Sequence, residues 1–312
     1  MFRGIVWIPP DTRLPFIRLR LIFFAVSGFL IAASVLLIAA RGLNYGIDFT
    51  GGIMIEARFP GPVDMASTRA KVDSLNLGGT EIQGFGGPNE VLIRLPLQAG
   101  DEKAQGRAVE KVKSALGASV EYRRVESVGP KVGAELLRES ILAVIVSLGG
   151  IMVYLWFRFE WKWGAAGIAA LFHDVISTVG VFSLSGLEFN LSTVAALLTI
   201  AGYSINDTVV IFDRVRENLR KFKTMPLPEL FDRSINETLS RTINTSGTVF
   251  LTVVALYAFG GSVIRDFSFA LLWGVVVGSY STICVALPML LYMNIDRGAH
   301  DRPAPEAAPG AP

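Results

Sequence analysis

The chain has 312 residues, of which 51% are hydrophobic and only 18% charged, and its formal net charge is +2. A soluble domain carries about a quarter charged residues, and the apolar residues here gather in long runs, which excludes a disordered chain, a disulfide scaffold and an ordinary cytosolic enzyme. The near-neutral balance excludes a basic nucleic-acid-binding surface spread over the molecule, and the single Cys284 allows no internal disulfide.

A hydrocarbon core about 30 Å thick takes roughly 20 apolar residues of helix. After a short basic segment, 1–20, the stretch Leu21–Ala40 meets that length without one charge. It exceeds the apolar core of a secretory signal, about 7–15 residues, and lacks a small residue three before its end, so it is predicted to be an uncleaved anchor. A polar segment, 41–140, follows. Five further apolar runs fall within 141–297: Ile141–Phe157, Trp163–Leu187, Phe189–Phe212, Ile243–Gly260 and Phe267–Met293. The turn Ser185-Gly186-Leu187-Glu188 separates the third span from the fourth, and a basic loop, 213–242, separates the fourth from the fifth. Leu230, Phe231, Ile235 and Leu239 have roughly helical spacing in that loop, which reads either as a surface helix or as a solvated connector. The Ala/Pro-rich tail, 298–312, is predicted to be disordered. The reading is six spans.

Orientation follows from Lys and Arg in the short loops. Arg3, Arg13, Arg18 and Arg20 precede span one, Arg158 and Lys162 lie between spans two and three, and Arg214, Arg216, Arg220, Lys221, Lys223, Arg233 and Arg241 lie between four and five. The opposite side carries Glu188 in one short loop and Arg265 with Asp266 in the other. Both termini are therefore expected in the cytoplasm, with 41–140 outside.

Within 41–140 the statistics become globular. Strands are predicted over Ile53–Phe59, Thr80–Phe85, Glu90–Leu95 and Val120–Val128, and helices over Asp64–Leu75 and Asp101–Leu116, with a turn at Gly86-Gly87-Pro88-Asn89. The order βαββαβ is that of a ferredoxin-like α+β domain. Its expected interior includes Ile53, Ile55, Val72, Leu75, Ile82, Val91, Ile93, Val109, Val112 and Leu116. The segment holds neither histidine nor cysteine, so binding or mechanical coupling suits it better than metal or thiol chemistry.

No phosphate-cradling G-x-x-x-x-G-K-[ST] run exists, which argues against an ATP-driven machine. His173 has no serine in a nucleophile motif beside it, and Asp174 and Asp207 lack the glycines of an aspartyl intramembrane protease. The chain is therefore read as a non-enzyme without metal or cofactor. Ionisable groups inside spans remain, and these are functional candidates because a charge at that depth costs several kcal/mol. Span three carries His173 and Asp174; span four carries Asn206 and Asp207; span five opens with Arg241, Asn244 and Ser246. Burial favours the neutral form of Asp207 and a nearby Arg241 favours the charged form, so their separation would set whether a proton is held. The alternative is a static ion pair that fixes helix packing. For His173 and Asp174 a proton-handling role and a plain interhelical hydrogen bond stay equally open.

Four motifs, taken together, resemble the SecF branch of the SecD/SecF family. Gly46-Ile47-Asp48-Phe49-Thr50-Gly51-Gly52 is similar to the family's G-x-D-F-x-G-G signature, and Val128-Gly129-Pro130-Lys131-Val132-Gly133 to its V-G-P-x-V-G run. Gly202 to Asn218 resembles the fourth-span motif, and Leu239 to Ser246 the start of the fifth span. The resemblance runs in order over about 2–297. It implies a six-span half of a resistance-nodulation-division core in the bacterial plasma membrane. It also implies a SecD partner, the SecYEG channel with its SecA motor, and preproteins drawn outward by the proton motive force. Asp207 and Arg241 are the positions matching the family's functional pair. Alternatives are a half-transporter exporting lipids or small molecules, and a passive scaffold of the translocon. Gly274, Gly278 and Ser279 in the last span are expected to form a close-packing face toward the partner.

Overall fold

The computed structural model describes residues 12–100, 102–261 and 264–293, together with Pro9 and Ile295. The expectation of a disordered tail falls outside these residues. Among the described residues, six helical segments are long and apolar enough to cross a membrane: Ile17–Arg41, Lys131–Arg158, Trp161–Ser185, Leu191–Lys221, Leu227–Phe259 and Arg265–Met293.

Helix α1, Arg20–Arg41, follows a 3-10 turn at Ile17–Leu19 and stops at Gly42, whose φ of 69° turns the chain out of the helix. The segment before it is docked. The Leu14 amide donates to Asn236 at 3.0 Å, Asn236 donates back to the Leu14 carbonyl at 3.0 Å, and the Ile17 amide donates to Asp232 at 2.8 Å.

The soluble part is built from β2 (Gly52–Arg58), α3 (Met65–Asp73), β3 (Glu81–Phe85), β4 (Gly87–Leu95), α4 (Glu102–Leu116) and β5 (Glu121–Val128), preceded by β1 (Asn44–Tyr45) and one helical turn, α2 (Ile47–Thr50). The sheet order is β3-β4-β2-β5 and every pair is antiparallel, the split βαβ arrangement expected from the element order. Ile53, Ile55, Val72, Ile82, Val91, Ile93, Val109, Val112 and Leu116 are buried in one core. Leu75 is only half-buried, and Leu77 takes the interior place because the chain turns at Asn76 with φ 52°. The predicted four-residue turn is tighter than expected. Gly86 alone turns the chain (φ 75°), and Gly87 already pairs with Phe85 across a bulge. Strand β2 is buried on both faces: Ile53 and Ile55 face α3 and α4, while Met54 packs with Ile47 and Leu92 toward the membrane helices. That second face seats the domain on the bundle.

The remaining helices are α5 (Pro130–Arg158), α6 (Trp161–Ser185), α7 (Leu191–Lys221), α8 (Leu227–Phe259) and α9 (Arg265–Ser281), with a two-residue strand β6 (Glu188–Phe189) between α6 and α7. Pro130 opens α5 in its first turn, where a missing N–H costs nothing. Asn190 and Thr193 form a capping box at the start of α7. The loop expected over 213–242 is corrected. Helices α7 and α8 run on beyond the apolar runs, and only 222–226 join them. Leu230, Phe231, Ile235 and Leu239 are buried in α8, so helix packing there overrides the reading as a solvated connector.

The last span is not one continuous α-helix. Thr282–Ala286 is a π turn, followed by α10 (Leu287–Leu290). Pro288 has no N–H for the carbonyl four residues earlier, that of Cys284, and its ring crowds that carbonyl, so the backbone widens just before it.

Burial sorts the helices. The apolar windows of α6, α7 and the last span are 56%, 50% and 67% buried, against 11% for α1, α5 and α8. Small residues let the inner three approach. A Cβ on Gly274 would overlap Ile200 of α7, and one on Gly278 would lie 3.3 Å from Ser204. These glycines therefore pack inside the chain, which corrects the expectation that they face a partner.

Candidate functional site

Asp174 lies on α6 with no exposed surface. Its Oδ2 accepts from the Ser204 hydroxyl of α7 at 2.5 Å and from the Ser281 hydroxyl of α9 at 2.8 Å; its Oδ1 lies 3.1 Å from His173 Nδ1. Ser177 and Thr178 donate back to its carbonyl at 3.0 and 2.7 Å, and Trp273 Nε1 reaches the Ser177 hydroxyl at 3.4 Å. One carboxylate thus ties the three inner helices together, and Thr208 with Thr282 continues the polar seam at 3.0 Å into the π turn. A buried polar group must be hydrogen-bonded, and these partners are how such a group is held at bilayer depth. His173 Nε2 is buried and has no partner, and its ring lies 6.1 Å from Tyr280.

Asp207 is one turn further along α7 and 4% exposed. It faces away from the Asp174 hub, toward α8, where Ser246 and the charge of Arg241 act on it. Its Oδ2 is buried without a hydrogen-bond partner, and among the described residues no ion pair joins it to Arg241, which is exposed. Ser246 accepts from the Tyr203 hydroxyl at 3.0 Å and shares a hydrogen bond with Ser279 at 2.7 Å, so a hydroxyl chain crosses α7, α8 and α9 beside the open carboxylate. Asn206 and Asn244 lie on the exposed side of their helices. The structure therefore groups Asp207 with Ser246, sets His173 and Asp174 in a separate buried hub, and leaves Arg241, Asn206 and Asn244 at the surface. Ser281, Tyr203 and Ser279 complete these networks. The available signal for the two serines was the polar run Ser279-Tyr280-Ser281-Thr282 inside an apolar span.

The signature glycines and Asp48 occupy the junction between sheet domain and bundle. Asp48 Oδ2 accepts from the Leu191 amide at 3.0 Å, so the turn α2 caps helix α7. Gly52 has φ 129°, and a Cβ there would sit 2.7 Å from the Leu95 carbonyl oxygen; both facts demand glycine. Gly51 has φ 71°. Gly133 of α5 approaches the Gly51 amide so closely that a Cβ would lie 3.2 Å away, and Gly129 caps α5 just before Pro130. A Cβ on Gly46 would meet the Glu188 side chain. Strands β1 and β6 pair in parallel, and Arg94 of β4 forms an ion pair with Glu188 of β6, with Asn44 3.4 Å from its other nitrogen. Among the described residues no group of three or more His, Cys, Asp or Glu is placed to hold a metal ion.

The family model for the C-terminal region of SecD/SecF protein export membrane proteins matches residues 108–296, and the model for the SecD/SecF GG motif matches residues 36–60. The chain belongs to the SecD/SecF family. It is 46% identical over 299 residues to the protein translocase subunit SecF of Cereibacter sphaeroides, covering 93% of this chain and 92% of that one. Among solved structures it is similar to SecDF of Thermus thermophilus, a translocon-associated membrane protein, with TM-score 0.82 and 38% identity over 94% of this chain. A SecDF structure in a super-membrane-facing form matches with TM-score 0.68 at 39% identity, again over 94% of this chain. The chain spans 40% of each SecDF chain, so it corresponds to one part of that longer protein. The family's work is protein export, and this chain is a membrane component of it.

Proposed function

We propose that the chain acts as the SecF-type half of a SecD–SecF pair and couples the proton motive force to late-stage preprotein movement through the SecYEG channel, after SecA has driven the chain in. The similarity to SecDF chains, of which this chain covers 40%, supports the pairing, and the positive-inside bias supports a plasma-membrane protein with cytoplasmic termini and an outward sheet domain. The observation that carries the coupling is the buried carboxylate of Asp207, whose one oxygen lacks a partner while Ser246 and Arg241 act on it from α8. Taking up a proton would remove the cost of a buried charge; releasing it would draw Arg241 in. One charge crossing 100 mV supplies about 2.3 kcal/mol, enough to bias a two-state motion by roughly fortyfold. Asp48 and the glycine junction would carry that motion from α7 to the sheet domain.

The test is translocation into proteoliposomes holding SecYEG, SecA and the SecD-type partner, with and without this chain and with and without a proton gradient. The gradient should accelerate late translocation only when the chain is present. Equal acceleration without it would overturn the reading.

A further inference from the structure

The turn between α5 and α6 carries a feature that neither the hub nor the junction uses. Phe159 is buried there, stacked on Trp163 at 6.4 Å and edge-on to Phe212 at 5.6 Å. Two guanidinium groups stand near its ring, Arg158 at 4.9 Å and Arg216 at 5.6 Å from the centroid. Asp213 neutralises Arg158 at 2.6 Å, and Glu217 is held by Arg214 at 2.7 Å. Arg216, Arg220 and Lys221 have no ion-pair partner among the described residues, yet all three line one recess of about 460 Å³ with Arg158, Asp213 and Glu217. The recess thus sets four cations, Arg158, Arg216, Arg220 and Lys221, against two carboxylates, Asp213 and Glu217, and the excess positive charge repels itself unless an anion joins it.

On the other side of Phe159 an apolar groove of about 820 Å³ runs past Met152, Trp156, Trp161, Gly164, Ala165 and Ile168, with Glu160 as its one charged neighbour. Trp156 and Trp161 are 70% and 63% exposed. Exposed tryptophans at the end of a membrane helix mark the headgroup level, and basic pockets between helices at that level take phosphate headgroups. The charge and the groove thus adjoin at this turn, since Phe159, with Arg158 and Arg216 near its ring, also lines the groove.

We infer that this turn binds an anionic phospholipid, its phosphate on Arg216, Arg220 and Lys221 and an acyl chain in the groove beneath Trp156 and Trp161. The occupant is a lipid rather than free phosphate because the groove adjoins the cations and lies on the face turned to the membrane. An acidic peptide would leave the groove empty.

The test uses the full chain with its SecD-type partner, purified in mild detergent and offered phosphatidylglycerol or phosphatidylethanolamine under native mass spectrometry. One phosphatidylglycerol should be retained, about tenfold or more in preference to phosphatidylethanolamine. The triple variant R216Q/R220Q/K221Q, confined to partly or fully exposed positions, should lose that preference while the complex elutes unchanged. Ala165→Trp, which fills the groove, should weaken phosphatidylglycerol retention with the cations intact. Equal retention of both lipids, an unchanged preference in the triple variant, or full displacement of the lipid by millimolar inorganic phosphate would each overturn the proposal.

Discussion

Asp174 and Asp207 are carboxylates buried on neighbouring helices, and their surroundings assign them different work. Asp174 receives two hydroxyl donors and contacts a histidine, so its carboxyl is satisfied and its three helices are fixed. Asp207 keeps one oxygen without a donor. A satisfied buried group locks structure; an unsatisfied one is poised to change state. Asp174→Asn should therefore cost stability, because a neutral amide oxygen at the Oδ2 position accepts the two hydroxyls more weakly than a carboxylate oxygen and its NH2 must face His173 Nδ1. A loss of about 1–3 kcal/mol is expected, read as a lower melting midpoint of the purified complex, with gradient dependence of translocation retained. A normal melting midpoint with lost gradient dependence would make Asp174 part of the switch instead. Both aspartates were visible in the sequence because charge is rare in apolar runs. Their difference was not, since Ser204 and Ser281 lie 30 and 107 residues from Asp174, and only helix packing brings them to it.

At the scale of elements, the family's signature residues make a joint. Asp48 caps α7, Gly52 and Gly133 allow backbone approaches that a side chain would block, and β1 pairs with β6. The sequence announced these glycines without giving their reason, because the reasons are contacts between segments about 40 to 140 residues apart. Helix ends were less legible. Polar α7 and α8 extensions carry loop-like composition, yet Leu230, Phe231 and Ile235 bury against the bundle and keep the helix going. The ion pair of Arg94 with Glu188 links sheet to bundle, with side chains only 12% and 13% exposed. If it is a latch, alanine at both positions should be less damaging than the sum of the single changes, with a coupling of about 1–2 kcal/mol in a double-mutant cycle on thermal stability. Strict additivity would mean the pair transmits nothing.

The whole molecule has a buried trio of helices and a peripheral trio with little of its apolar surface covered. The polar surface between α7 and α8, with Asn206, Arg241 and Asn244 exposed and Asp207 behind them, faces outward from the chain. Exposed polar groups at membrane depth need water or another protein. On the proposed function, protonation would be read at this α7–α8 face, while the Asp174 hub holds the three buried helices together. Arg241→Met should remove the charge that draws Asp207 toward its ionised form, and Arg241→Lys should retain part of the effect, since it keeps the charge but not the planar fork. The most direct measurement is gradient-driven late translocation in proteoliposomes carrying Asp207→Asn, with the yield of the SecD-type complex measured alongside. The account predicts normal complex yield and a translocation rate that no longer responds to the proton gradient. A rate that follows the gradient as before, at the same yield, would contradict it.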